Sequence, residues 1–172
     1  MAKVGILGEN SNEMAAIFSQ ICRGNKRNAL VGYHKISENN PIPIVTIDIG
    51  YEYSKPITPL VFILQETTNY AQEAIKLLDT NGYLIVNADE SVPSPTSRCG
   101  IITYGFNAKA SVTASSVADG ALQVCIQRGF KSLNGSPCEP QEFKAPCPEE
   151  ANPLDVLGAV TACVVCDVLS KY

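Results

Sequence analysis

The chain opens with an apolar run that ends on a glycine. Lys3-Val4-Gly5-Ile6-Leu7-Gly8 reads as a buried strand closed by a turn. From about Ser11 to Cys22 the period changes. Met14, Ile17, Phe18 and Ile21 fall at i, i+3, i+4 and i+7, one face of a helix that Ser11 or Asn12 is placed to cap. Strand, glycine turn and helix form the usual entry to a doubly wound sheet. Ala29 to Tyr33 is a short strand candidate, and Ser37 to Pro43 is a turn rich in Asn and Pro. Ile44-Val45-Thr46-Ile47-Asp48-Ile49 is a continuous β-branched run, the pattern of a strand buried on both faces, and Leu60 to Leu64 is another. Asn69 to Asp79 reads as a helix with Ala71, Ala74, Ile75 and Leu78 on one face; Asn81-Gly82 stops it, and Tyr83 to Asn87 follows as a strand. These alternations predict an α/β fold, a P-loop or Rossmann-like doubly wound and mostly parallel sheet.

The pattern shifts in the second half. Ile101 to Tyr104, Ser111 to Ala114 and Leu122 to Ile126 are short strand candidates, the last two alternating as an exposed antiparallel edge does. Asn134 to Pro148 is a Pro- and Cys-rich loop with one candidate strand at Glu142-Phe143-Lys144. Asn152-Pro153 then starts an apolar helix that runs from Leu154 to Leu169. The expected organisation is one domain over 1–172. It comprises a parallel α/β core at 1–90, a β-rich antiparallel extension at 100–145 and a closing helix at 152–170.

Size and charge narrow the partners. With 172 residues and 45% hydrophobic content, the chain can bury one core. Its formal charge of −4 and the absence of a long basic run argue against nucleic acid, and no apolar run reaches membrane-spanning length. The first residues lack a charged lead with a long apolar stretch, so no secretory signal is expected and a cytoplasmic setting is. Seven cysteines without such a signal are expected to be free thiols in a reducing compartment. Cys163 and Cys166 have CxxC spacing inside an apolar helix, which favours buried structural thiols. A four-thiolate zinc site made with Cys138 and Cys147 is conceivable, but no spacing demands it.

Four segments, in order, resemble the central domain of Mur ligases and their folylpolyglutamate synthase relatives. Val4 to Glu13 is similar to a strand followed by Gly-Thr-Asn-Gly-Lys-Thr, and Asn81 to Glu90 to a strand ending in Asn-x-Asp-Asp. Ile102 to Asn107, with Ala110 to Ala114, resembles a Thr-Tyr-Gly turn and an Ala-Asp-Val strand. Asn152 to Val160 resembles the closing Asn-x-x-Asn-x-x-Ala-Ala helix. The resemblance implies an ATP- and Mg²⁺-binding domain that activates a carboxylate for attack by an amine.

The residues at the implied site depart from that chemistry. Gly8, Glu9, Asn10, Ser11, Asn12 and Glu13 outline the phosphate loop, but Asn12 stands at the lysine position and Glu13 at the metal-holding hydroxyl. Asn87 corresponds to the adenine-recognising Asn, or else it caps a turn. Asp48 is the nearest match to the family's metal-binding Glu. The family's metal His has no counterpart: His34, the one histidine, lies elsewhere and reads as a surface or edge residue. Lys76 reads as solvent-facing, and Tyr51 and Tyr53 are pocket or packing candidates. No catalytic residue is therefore expected. The favoured reading is a binding or interaction module that has lost ligase chemistry, with no cofactor. The alternative is a nucleotide-binding subunit of an ATP-dependent amide ligase, using ATP and Mg²⁺ with a separate ligase-like chain. The family's N- and C-terminal domains have no counterpart in the chain, so a homo-oligomer or a partner protein is expected on the faces they would cover.

Overall fold

The structure is a computed structural model that describes residues 2–36, 42–50, 61–65, 75–78, 81–90 and 99–169. Among these, nine strands form one mixed sheet, flanked by two helices. In chain order the sheet strands are β1 (Ala2–Leu7), β2 (Ala29–Ile36), β3 (Ile42–Ile49), β4 (Val61–Leu64), β5 (Tyr83–Asn87), β6 (Gly100–Tyr104), β7 (Val112–Ala118), β8 (Ala121–Ile126) and β11 (Gln141–Pro146). β9 (Phe130–Lys131) and β10 (Pro137–Cys138) pair separately. The helices are α1 (Ser11–Gly24) and α2 (Pro153–Val165).

The sheet order is β11-β8-β7-β6-β5-β4-β1-β3-β2. The central neighbours β1, β4, β5, β6 and β7 are parallel, while β8 and β11 on one side and β3 and β2 on the other are antiparallel. The α/β class and the antiparallel extension thus follow the sequence pattern. β3 departs from it. Its apolar run belongs to an antiparallel strand, with Lys3 opposite Asp48 and Ile6 opposite Val45. The chain leaves α1 into β2 and turns back through β3, so β3 runs against β1 although both are buried. The predicted turn at Ser37 to Pro43 falls mostly outside the described residues, as do Tyr51, Tyr53 and the first residues of the predicted helix at Asn69. Residues 75–76 are helical, and Lys76 is exposed.

Period-two alternation divides each central strand between two apolar layers. Val61 and Ile63 of β4 and Ile85 of β5 face the larger cluster with α1 and α2; Phe62, Leu64, Leu84 and Val86 face Ile75 and Leu78 on the other side. Gly5 on β1 faces the Phe62 side, where a Cβ would lie 2.6 Å from the Phe62 ring.

α2 is buried from Asp155 to Val165, on every side rather than along one stripe. Such a helix must satisfy its polar groups locally. Asn152 caps it, its Oδ1 accepting from the Leu154 N–H at 2.9 Å. The Thr161 hydroxyl donates back to the Leu157 carbonyl at 2.7 Å. At its end, the Leu133 and Val168 N–H groups donate to the Val165 and Cys163 carbonyls. Close approach to its neighbours requires a small residue at 158, because a Cβ on Gly158 would lie 2.8 Å from Met14 Cε on α1 and 3.0 Å from the Tyr104 ring on β6.

Gly158→Val is therefore expected to lower unfolding stability by about 2 kcal/mol or more through overpacking. Urea denaturation checks this. A variant as stable as the parent would show that α2 does not pack so tightly against Met14 and Tyr104.

Candidate functional site at the carboxyl ends of the parallel strands

In α/β sheets the loops after parallel strands gather at one edge, where ligands usually bind. Here that edge collects Gly8 to Asn10 after β1, Gln65 after β4, Ala88 to Glu90 after β5 and Gly105 to Asn107 after β6. α1 starts at Ser11 with Asn10 as its cap residue, ahead of both predicted caps, Ser11 and Asn12. The Asn10 side chain makes no capping bond. It lies near Asp155 in the first turn of α2 instead, where it favours the charged carboxylate.

Asp155 joins the two helix starts to the sheet. Its Oδ1 accepts from Gln65 Nε2 at 2.8 Å, and only 6% of the residue is exposed. Burial raises its pKa above the usual 3.8; the Gln65 bond opposes this, the nearby Glu13 charge adds to it, and Asn10 opposes it. Gln65 also lies over Gly8, where a Cβ would fall 2.4 Å from Gln65 Oε1, and Gly8 takes φ 142° in the region that favours glycine. That Oε1 is buried without a hydrogen-bond partner among the described residues. Tyr104, fully buried nearby, is kept a neutral phenol by burial first and then by the charges of Asp155 and Asp89.

The bonds continue through Asn87. Its Nδ2 donates to the Gln65 carbonyl at 3.3 Å, and its Oδ1 accepts from the Asp89 N–H at 3.0 Å. Asp89 in turn accepts from the Phe106 and Asn107 N–H groups, both at 2.9 Å, and so holds the Gly105 turn. Asn87 is thus bound on both sides within the protein, the turn-capping arrangement. The network Asp89–Asn87–Gln65–Asp155 ties β5, β6, β4 and α2 together.

The sequence-predicted site residues divide accordingly. Gly8, Glu9, Asn10, Ser11, Asn12, Glu13 and Asn87 gather at this edge. Glu9, Asn10, Asn12 and Glu13 are exposed, and Asp155 adds a second carboxylate beside Glu13. Such charges repel a polyanion at a helix start that would otherwise attract one. Asp48 does not join them. It lies opposite Lys3 and bonds its Nζ at 3.3 Å, at the other end of β1 and roughly 15 Å along the strand from Gly8. The antiparallel run of β3 is the reason. His34 is exposed on β2. No three His, Cys, Asp or Glu side chains among the described residues converge to hold a metal, so Cys138, Cys147, Cys163 and Cys166 do not form a four-thiolate site.

No family model matches the chain, and no curated protein does. Among solved structures, the chain aligns with pyruvate oxidoreductase subunit PORC from Thermotoga maritima at TM-score 0.43 and 13% identity, over 59% of this chain and 60% of that one. It aligns with the gamma subunit of a keto/oxoacid ferredoxin oxidoreductase from Geobacter sulfurreducens at TM-score 0.41 and 13% identity, over 59% of this chain and 58% of that one. The chain therefore spans about 60% of each. Neither is a ligase. The resemblance to Mur ligases, drawn from four short segments, is corrected by these findings. The degenerate-ligase reading and its ligase-subunit alternative are both withdrawn.

Asp155 and Gln65 were missed from the sequence. The available signal was a single carboxylate in the first turn of an otherwise apolar helix. Because the Asp155 pKa is raised, the native state holds a proton that the unfolded chain has released once the pH exceeds 3.8. This group's contribution to stability therefore falls as pH rises from 3.8 through its native pKa. Asp155→Asn keeps an acceptor for Gln65, so at pH 7 it is expected to lie within about 1 kcal/mol of the parent and to lack that fall, whereas Asp155→Ala strands the Gln65 amide at a cost of about 1–3 kcal/mol. Denaturation across pH checks both. Equal losses from Asn and Ala would show that the Gln65 bond contributes nothing.

Proposed function

We propose that this chain works as a subunit that pairs its β2 edge with an acidic extended segment of another protein. The observation that carries the reading is the edge itself. Among the described residues β2 pairs only with β3, and no described strand lies along the other side of this eight-residue strand. Leu30 is 48% exposed and Tyr33 72% exposed, on opposite faces of that strand. Natural edges are usually blunted, and the opposite edge is. β11 is preceded by Pro140 and ends in Pro146. β2 has no proline.

Charge selects the partner. The stretch from Arg23 to Ile36 contains Arg23, Lys26, Arg27 and Lys35 and no acidic residue, in a chain whose formal charge is −4. Arg23, Lys26, Arg27 and Lys35 are all exposed. A second copy pairing β2 with β2 about Gly32 and Tyr33 would set Lys35 of each copy toward the Arg27 end of the other, a like-charge arrangement. An added acidic strand completes the backbone pairing without that repulsion.

Fluorescence anisotropy with a short labelled peptide alternating glutamate and valine tests the reading, with a lysine–valine twin as control. Only the acidic peptide is expected to bind. Added salt should weaken it, and the Arg27→Glu, Lys35→Glu double variant should weaken it by about tenfold, or 1.4 kcal/mol. Equal binding of both peptides, binding of neither, or dimerisation of the chain through β2 would contradict the proposal.

A further inference from the structure

Two of the chain's asparagines precede a glycine, Asn81 and Asn134. At such a pair the asparagine side chain meets a following backbone nitrogen with no Cβ beside it. The two settings differ. Gly82 is buried just before β5, and its carbonyl accepts from the Gly100 N–H at 3.0 Å. Asn134 and Gly135 are both exposed, in the turn between β9 and β10, so water reaches them. Gly135 takes φ 85°, in the region that favours glycine, and a Cβ there would meet nothing within 4 Å.

The turn also prepares the Asn134 side chain. Its Oδ1 accepts from the Ser132 hydroxyl at 2.8 Å and from the Ser136 N–H at 2.9 Å. Ser132 is 3% exposed, and its N–H donates to the Ser136 carbonyl at 2.9 Å, which fixes the backbone that carries the hydroxyl. Two donors on one carbonyl oxygen stabilise the negative charge that forms there when a nucleophile adds to the carbon. The nucleophile is covalently adjacent, the Gly135 nitrogen. Its N–H donates to the Ser132 carbonyl at 3.0 Å. That bond lies in the peptide plane, whereas the attacking lobe of the nitrogen stands across it.

We propose that Asn134-Gly135 is a self-modification site, converted through a succinimide to aspartate and isoaspartate, and that its conversion loosens the β9–β10 turn from the end of α2. The Gly135 nitrogen loses its proton to solvent base and bonds to Asn134 Cγ. The bond from Cγ to Nδ2 breaks, and the amide nitrogen leaves as ammonia. Water then opens the ring. Cleavage at Cγ gives aspartate; cleavage at the main-chain carbonyl carbon gives isoaspartate. One water is consumed, and nothing is oxidised or reduced.

The new carboxylate stands where the turn meets α2. The Asn134 N–H donates to Asp167 Oδ2 at 3.3 Å, and the Leu133 N–H donates to the Val165 carbonyl at 2.8 Å. The first acceptor is a carboxylate, and the second belongs to the partly negative end of a helix. Conversion adds charge of the same sign beside both. Isoaspartate also adds a methylene to the main chain between these bonds and Ser136.

The test incubates the purified chain, folded and in urea, in mildly alkaline buffer. Tryptic peptides are then followed by mass and by enzymatic methylation of isoaspartate. Peptide 132–144 reports Asn134, and peptide 77–98 reports Asn81. In urea the two should convert within about threefold of each other, since each precedes glycine. In the folded chain Asn134 should convert about tenfold or more faster than Asn81, and no slower than in urea; Ser132→Ala should slow it by about tenfold. Asn134→Asp, which supplies the charge alone, should speed hydrogen exchange of the Leu133 amide by about tenfold. No conversion at Asn134, equal rates at the two sites in the folded chain, faster conversion in urea, a folded Ser132→Ala that is not slowed, or an unchanged Leu133 amide would overturn the proposal. The comparison of the two sites in the unaltered chain decides the modification even if the alanine variant fails to fold.

Discussion

A helix buried on every side is the constraint on which the rest of the structure depends. α2 has no solvent face on which to place polar groups, so its ends and its one carboxylate must find partners inside the protein. Asp155 does so through Gln65 and has Asn10 and Glu13 close by, so this one residue stands where the start of α1, the start of α2 and the end of β4 meet. The same demand continues outward: Gln65 is held by Asn87, Asn87 by Asp89, and Asp89 holds the Gly105 turn. What resembles a ligand site at the carboxyl edge of the sheet is largely the set of bonds that lets an apolar helix be buried there.

Much of the fold was legible because it rests on periodicity. The i, i+3, i+4, i+7 pattern from Met14 to Ile21, the Asn152-Pro153 start of α2 and the strand at Tyr83 to Asn87 all reappear near their expected bounds. Strand direction was not legible, because a β-branched run such as Ile44 to Ile49 reads the same in a parallel as in an antiparallel setting when both faces are buried. That one ambiguity separated Asp48 from Gly8 by the length of a strand. His34 and Lys76 were read correctly as exposed, since neither interrupts an apolar face.

The site was less legible, for a related reason. Gly8 and the residues up to Glu13 carry a strand–turn–helix shape that many α/β proteins need for packing alone, so a loop motif without its lysine and hydroxyl shows fold rather than chemistry. Asn87 matched a family position, yet its amide is used on both sides within the protein. Asp155 stood in the closing helix, far along the chain from the loop it approaches, and contact between Glu13 and residue 155 cannot be read from spacing. The basic stretch from Arg23 to Ile36 was visible in the sequence but had no meaning until β2 was found last in the sheet among the described residues.

Two parts of the sheet thus differ: at the carboxyl edge Gln65, Asn87 and Asp89 are engaged in holding α2 and the Gly105 turn, while β2 has no second strand neighbour among the described residues. Hydrogen–deuterium exchange on the free chain measures both at once. The account predicts that the amides of α2 from Asp155 to Val165 exchange at the rate of global unfolding, while those β2 amides that point away from β3 exchange orders of magnitude faster. Outward β2 amides as protected as those of β4, or an α2 that opens long before the rest of the chain, would contradict it.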